Sequence, residues 1–137
     1  MKRTDLQNLS NGKLEAAQVL AADKRWSNAY YLAGYSIELA LKACVAKFIS
    51  ADTIPDKNLI ARVYTHNIGD LLGLAGLKTE FDARKKADSI FAANWGICSE
   101  WSPECRYKDM IAAETTFLLV AISDNSHGVL PWIKTYW

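Results

Sequence analysis

The sequence predicts an all-α fold, an up-and-down bundle of four to five helices forming one domain over residues 1–137. Three observations carry that expectation. Apolar residues recur at three- and four-residue steps through several long segments, as on one face of a helix. No segment shows the strict alternation of a half-buried strand. Half of the residues are apolar, enough for one sizeable core in a chain of 137.

Leu14, Ala17, Gln18, Ala21 and Ala22 share one helical face ahead of Asp23-Lys24-Arg25, which predicts a first helix from about Asn11 to Asp23. The second follows at once. Trp26, Ala29, Tyr30, Ala33, Ile37, Ala40, Leu41, Cys44 and Phe48 form its stripe, and Leu32, Leu39 and Val45 make most of the remaining surface apolar, the pattern of a central helix. Gly34 in its middle costs about 1 kcal/mol relative to Ala, which suggests that another helix packs close against it. Ser50 to Asn67, with Pro55, reads as a connection containing a helical turn near Lys57 to Val63.

Asn67 suits the cap of a short helix from Ile68 to Ala75 that ends at Gly76. Thr79 is the expected cap of a fourth helix, with Glu80 and Asp82 in its first turn and Phe81, Ala87, Phe91, Trp95 and Cys98 on its apolar side. Ser102-Pro103-Glu104 is a helix-start pattern, so a fifth helix begins near Pro103 or just after Tyr107 and stops around Asp124-Asn125. The helical core thus covers about residues 11–124. Pro131 biases Leu130 toward an extended backbone, and the aromatic tail over 125–137 is expected to lie extended along the bundle surface.

Sixteen basic and fifteen acidic residues give a net charge of +1, without the positive excess that often marks a protein binding duplex by its phosphates. The first residues carry charges with no apolar run behind them, so neither a signal peptide nor a membrane span is expected, and the location expected is cytoplasmic. Three cysteines do not make a disulfide framework. Cys98 and Cys105 lack partners at zinc-ligand spacing, so three structural thiols are expected, with no metal and no cofactor.

The most informative pair is Glu38 and Lys42, four residues apart in the apolar second helix. Two readings stand side by side. An exposed Glu-to-Lys pair at this spacing is a structural ion pair worth about 0.2–0.5 kcal/mol; charges set among Ala, Leu and Tyr can instead line a binding site. Tyr30, Tyr31 and Tyr35 fill gaps between helices, and a hydroxyl beside the carboxylate would extend a polar network. The Arg84-Lys85-Lys86 run is either a solvated face or a phosphate contact.

Three segments, in this order, resemble the HEPN family of small helical-bundle domains. Ala29-Tyr-Tyr-Leu-Ala-Gly-Tyr-Ser-Ile-Glu-Leu-Ala-Leu-Lys42 is similar to the family's second-helix signature. Tyr64-Thr-His-Asn-Ile-Gly-Asp-Leu-Leu72 resembles its His-containing approach to the following helix. In Asn94-Trp-Gly-Ile-Cys-Ser-Glu-Trp-Ser-Pro-Glu-Cys-Arg-Tyr107, the Arg-Tyr pair resembles the motif before the last long helix. The resemblance implies a bundle that commonly dimerises and works on nucleotides or RNA. Many members are metal-independent ribonucleases of toxin–antitoxin, defence or RNA-processing systems, and others accompany a small nucleotidyltransferase.

Nuclease members carry Arg, four to six residues, then His, and this chain departs from that pattern. Four to seven residues beyond Arg106 stand Met110, Ile111, Ala112 and Ala113; Arg62 and His66 have three residues between them. Metal-free RNA cleavage needs a group that takes the 2′-hydroxyl proton, one that protonates the leaving oxygen and a cation for the phosphate charge. His66, Arg106 and Tyr107 are the catalytic candidates, and Glu38, Lys42, Tyr35 and Trp101 the ligand-binding ones. Each has a plainer alternative: His66 as a helix-start residue, Arg106-Tyr107 as an anchor through Glu38 or Glu104, Trp101 as core. The functional expectation is a defence or toxin–antitoxin type protein that engages RNA or nucleotides, with a homodimer and a nucleotidyltransferase or antitoxin as expected partners. The alternative is a non-catalytic dimeric module that partners a nucleotidyltransferase or another protein.

Overall fold

A computed structural model describes residues 1–137. It is all-helical: α1 (Arg3–Ala22), α2 (Trp26–Val45), α3 (Lys57–Val63), α4 (Ile68–Leu74), α5 (Lys78–Ala87), α6 (Ser89–Ser99), α7 (Ala112–Ser123) and α8 (Val129–Lys134), with 3₁₀ turns at Ala46–Phe48 and Pro103–Tyr107. The all-α expectation holds, with eight α-helices where four to five were expected. No helix is long and apolar enough to cross a membrane.

α2 is the central rod, in contact with α1, α4, α7, α8 and the Pro103–Tyr107 turn. Ala33, Ile37, Ala40, Leu41, Cys44 and Val45 are buried along it. Burial of each large aliphatic chain there stabilises the fold by about 1.5–3 kcal/mol. The close neighbour of Gly34 is an aromatic ring, not a helix: a Cβ at this position would collide with the indole of Trp101.

Four boundaries differ from expectation. α1 begins at Arg3 instead of near Asn11, because Asp5 accepts a hydrogen bond from the Lys2 N–H at 3.0 Å. Its early turns are held to α2 partly by a polar link, Ser10 Oγ donating to the Ser36 carbonyl at 2.6 Å. Thr79 is not a cap; Leu77 precedes α5. The single expected fourth helix is two, because Asp88 takes an extended backbone and its side chain accepts from Ile90 N–H at 3.0 Å and Phe91 N–H at 2.9 Å. Such bonds satisfy helix-start donors, so a new helix starts there. Ser102-Pro103-Glu104 opens a 3₁₀ turn, and α7 starts at Ala112.

The tail is corrected most. It is not extended along the surface: α8 buries Val129, Leu130, Trp132 and Ile133. Pro131 falls in the first helical turn, where a missing N–H breaks no bond, so burying its neighbours outweighs the pre-proline bias on Leu130. Gly128 makes the turn into α8 feasible, since a Cβ there would strike the Asp124 backbone.

α7 is registered against the start of α2. Thr115 Oγ1 donates to the Trp26 carbonyl at 3.1 Å, and the Met110 N–H donates to Ser27 Oγ at 2.9 Å. The Pro103–Tyr107 turn, which precedes α7, also lies in contact with α2.

Candidate functional site

Tyr31, Tyr35, Glu38 and Lys42 follow one another at steps of four, three and four residues, so they share one stripe of α2. The Glu38 carboxylate is buried with 3% of its side chain exposed, and both of its oxygens are engaged. Lys42 Nζ donates to Oε1 at 2.7 Å, and His66 Nδ1 lies 2.9 Å from Oε2. His66 arrives from the link between α3 and α4, whose start is fixed by Asn67 accepting from the Asp70 N–H at 3.0 Å.

The chemistry of the pair sets the imidazole. An ionised carboxylate only accepts hydrogen bonds, so Nδ1 carries the proton and donates. In the neutral ring, Nε2 then keeps its lone pair, and in the cation it is a second donor. His66 is half-exposed while its anchor is buried, so the polar edge of the ring is held at the surface by an interior carboxylate.

Tyr35 joins this cluster to the rest of the stripe. Its ring stands edge-on to His66, with centroids 6.2 Å apart, and edge-on to Trp101 at 4.9 Å. Its hydroxyl lies 3.4 Å from that of Tyr31. Burial, reinforced by the hydrogen bond to Tyr31, pushes the Tyr35 phenol well above the ordinary tyrosine range. Tyr35 therefore remains a neutral hydroxyl that donates or accepts, and does not serve as a base near neutrality.

A cleft of about 470 Å³ opens beside His66 and is lined also by Thr65, Asn67, Ser99, Glu100 and Trp101. Trp101 forms part of its wall and is itself 4% exposed, packed on Gly34, with an indole N–H that has no partner. A base does not stack on a face that is already covered, so its contribution is to shape the cleft and to hold Tyr35.

Arg106 lies on the 3₁₀ turn. It donates to Glu104 at 3.3 Å and sits over the Tyr107 ring at 4.6 Å from the centroid. Its anchor is thus Glu104 and not Glu38. The hydrogen bond with Tyr107 raises its already high pKa, and the Tyr31 hydroxyl adds to the effect. The Arg106 charge in turn acts on the Tyr35 hydroxyl. Tyr107 is exposed. The structure thus brings Glu38, Lys42 and His66 into direct contact and links Tyr35 and Trp101 to them. Arg106 makes no direct contact with them, being bound to Glu104 and stacked on Tyr107, and Tyr107 stays outside with it.

Tyr31, expected to fill a gap between helices or to extend a polar network, joins the stripe through its hydroxyl. One feature was not legible in the sequence: a separate cluster around Asp88, whose Oδ2 binds Arg84 at 2.9 Å and His127 Nδ1 at 2.8 Å. Arg84 also donates to the Ser126 carbonyl at 2.7 Å, and Asn94 to the His127 carbonyl at 2.9 Å. The His127 hydrogen bond, with the Phe91 N–H, holds the Asp88 carboxyl below its ordinary value of 3.8. These bonds pin the turn before α8, and Arg84 is spent on that task rather than presented to a phosphate.

The three thiols are buried and free. Burial pushes Cys44 up to about 11 and Cys98 up to about 12, and raises Cys105, so none is a nucleophile near neutrality. Comparison with family models, curated proteins and solved structures finds no match to this chain.

Proposed function

We propose that this chain engages RNA or nucleotides at the face of α2 that carries Tyr31, Tyr35, Glu38 and Lys42, together with His66 and Arg106. In this reading it is an HEPN-type bundle, cytoplasmic, of a prokaryotic defence or toxin–antitoxin system. The observation that carries the site is the buried Glu38 carboxylate shared between Lys42 and His66. Desolvating a carboxylate costs several kcal/mol, and an exposed histidine needs no such anchor to fold. An orienting interior acid is what a working imidazole requires. Lys42 and Arg106 supply positive charge for phosphate, and the Tyr31–Tyr35 hydroxyls supply neutral hydrogen bonds around it.

If the site cleaves RNA, His66 Nε2 accepts the 2′-hydroxyl proton as the 2′-oxygen attacks phosphorus. A second group, Tyr107 being the nearest candidate to Arg106, then returns a proton to the departing 5′-oxygen. Arg106 offsets the phosphorane charge. The test is equilibrium binding and product analysis with a labelled RNA oligonucleotide and with mononucleotides, on the native chain, His66→Ala and Arg106→Ala. Both side chains are substantially exposed. Binding or cleavage should fall at least tenfold with the melting temperature unchanged; equal loss of folding in both variants, or unchanged binding, sinks the reading.

The second reading is a non-catalytic dimeric module that presents this groove to a nucleotidyltransferase or another protein. It is favoured by the lack of any contact between His66 and Arg106, each being held by its own acidic neighbour. Nucleotide binding without RNA turnover supports it, and cleavage that survives stringent purification excludes it.

A further inference from the structure

The stripe of α2 that carries Glu38 and Lys42 runs on through Val45 and Ala46 to Ile49 beyond the helix end, at steps of three and four residues, and changes from polar to aliphatic as it does. A groove of about 300 Å³ lies along this aliphatic stretch. Leu6 lines it from α1, and Ile60 and Val63 from α3, with Tyr64 just after. α3 stands off the core, since none of its residues is buried. Ile49 and Ile60 are accordingly each 40% exposed.

Lys42 is the one charged residue lining the groove. Its side chain is 14% exposed, and of its three donors the chain engages one, in the 2.7 Å bond to Glu38 Oε1. The aliphatic wall has no side-chain acceptor to offer the other two. A donor held out of water without an acceptor is costly, so an occupant that fits brings an oxygen to the ammonium and an apolar body to the rest. Glu38 already balances the Lys42 charge and would repel a second carboxylate, so a neutral oxygen suits the place better than an anionic one. A nucleobase does not suit it. Lys42 and the Tyr64 hydroxyl are the only polar side-chain groups in the wall, too few for the polar edge of a base.

We infer that this groove binds a medium-chain aliphatic molecule headed by a neutral carbonyl. The carbonyl oxygen accepts from Lys42 Nζ, and the chain lies along Val45, Ala46 and Ile49 with Ile60 and Val63 beside it. A mostly apolar lining with a single orienting polar group is the usual make-up of a small-molecule site, and about 300 Å³ is at the small end of the range for such sites. The inference goes beyond the RNA or nucleotide reading and shares only Lys42 with it; His66 and Arg106 do not line the groove.

Titration of the full chain with methyl ketones of increasing chain length, followed by ligand-observed NMR, tests it, beside Lys42→Met, Ile60→Glu and Ala46→Phe. For the native chain, affinity should rise about fourfold with each added methylene, the equivalent of about 0.8 kcal/mol, and level off once the groove is full. Lys42→Met should lower every affinity in the series about tenfold and leave that increment unchanged, a split that a general loosening of the fold would not give. Ile60→Glu sets a charge in the wall and Ala46→Phe fills the space; each should keep its helical circular dichroism and lose the increment. The proposal is overturned by no saturable binding to the native chain, by Lys42→Met binding as tightly as native, or by an increment that survives both groove variants. Tighter binding of the matching carboxylate than of the ketone overturns it as well. The RNA or nucleotide reading is tested separately by His66→Ala and Arg106→Ala, so either can fail without the other.

Discussion

Replacing Glu38 with Gln tests most directly whether the α2 cluster is a buried ion pair or a surface ornament. The change keeps shape and removes charge. Lys42 would be left with 14% of its side chain exposed and no counter-charge, and its ammonium would face a neutral amide. Removing one partner of a fully buried pair costs about 3–5 kcal/mol, and the residual hydration of Lys42 lowers that to about 2–3 kcal/mol. For a chain of this size the corresponding fall in melting temperature is about 6–12 °C. Lys42→Met should cost less, about 1–2 kcal/mol, because Glu38 keeps His66 and methionine fills much of the space. His66→Ala should stay within about 1 kcal/mol, since half of that ring is in water. Urea denaturation of the three variants and of the Glu38→Gln/Lys42→Met pair closes a thermodynamic cycle. The double variant should be more stable than the sum of the single losses implies. The local chemistry has its own readout: ¹⁵N shifts should report the Nδ1–H tautomer of His66 in the native chain and lose that preference in Glu38→Gln. Glu38→Gln and Lys42→Met both within about 0.5 kcal/mol of native, or a native Nε2–H tautomer, would refute the argument.

Three further outcomes are expected. Gly34→Ala should displace the Trp101 indole, costing about 2–4 kcal/mol and shifting tryptophan emission to longer wavelength; native emission and stability would mean that the ring does not sit on the glycine. The Asp88 carboxyl is held below 3.8 in the folded chain, so it contributes stability that is present above that pH and lost as pH falls through the depressed value. Unfolding free energy followed from pH 5 to 2 should therefore drop less steeply in Asp88→Asn than in the native chain, and parallel curves would contradict it. With Cys44 raised to about 11 and Cys98 to about 12, iodoacetamide at pH 8 should leave both unmodified until denaturant is added. Rapid labelling of the folded chain would contradict their burial.

The elements legible in the sequence were those whose signals are local. The apolar wrap of α2, the Asn67 cap and the Lys57–Val63 turn all rest on residues within one or two turns, and they stand where periodicity and capping put them. The misses have a common cause in distant partners. Nothing near Ser10 says that its hydroxyl will be spent on the Ser36 carbonyl, and the apolar face that marks α1 in the sequence begins only at Leu14. Pro131 read as a breaker because its position in the first turn of α8 depends on where Gly128 starts that helix. Asp88 is the exception, since an Asp-Ser pair ahead of Ile90-Phe91 is a local cap signal, set inside an apolar periodicity that runs on from Phe81 to Cys98. At the site, the Glu38–Lys42 contact follows from helical spacing alone. The approach of His66 across the intervening chain does not.

These differences bear on how the site can work. Glu38 and Lys42 are carried by the most buried helix of the bundle, each directly following a core residue, Ile37 and Leu41, with Val45 one turn beyond Lys42. Their positions are therefore as fixed as the core, and a close-packed interior yields little. His66 and Arg106 come instead from a short link and a 3₁₀ turn at the edge of the fold. Each is tied by one polar side-chain contact to an acidic residue, Glu38 for the first and Glu104 for the second. The Arg106–Glu104 contact is exposed to solvent and therefore weak. Under the proposed function, a phosphate arriving beside Lys42 would compete for that guanidinium at little expense, while the interior carboxylate would keep the imidazole in register. Movement on ligand binding should accordingly be concentrated in the Pro103–Tyr107 turn, with amide shifts largest there and smallest along α2 between Ile37 and Val45. The reverse distribution would mean that the rigid rod, and not the turn, is the element that responds.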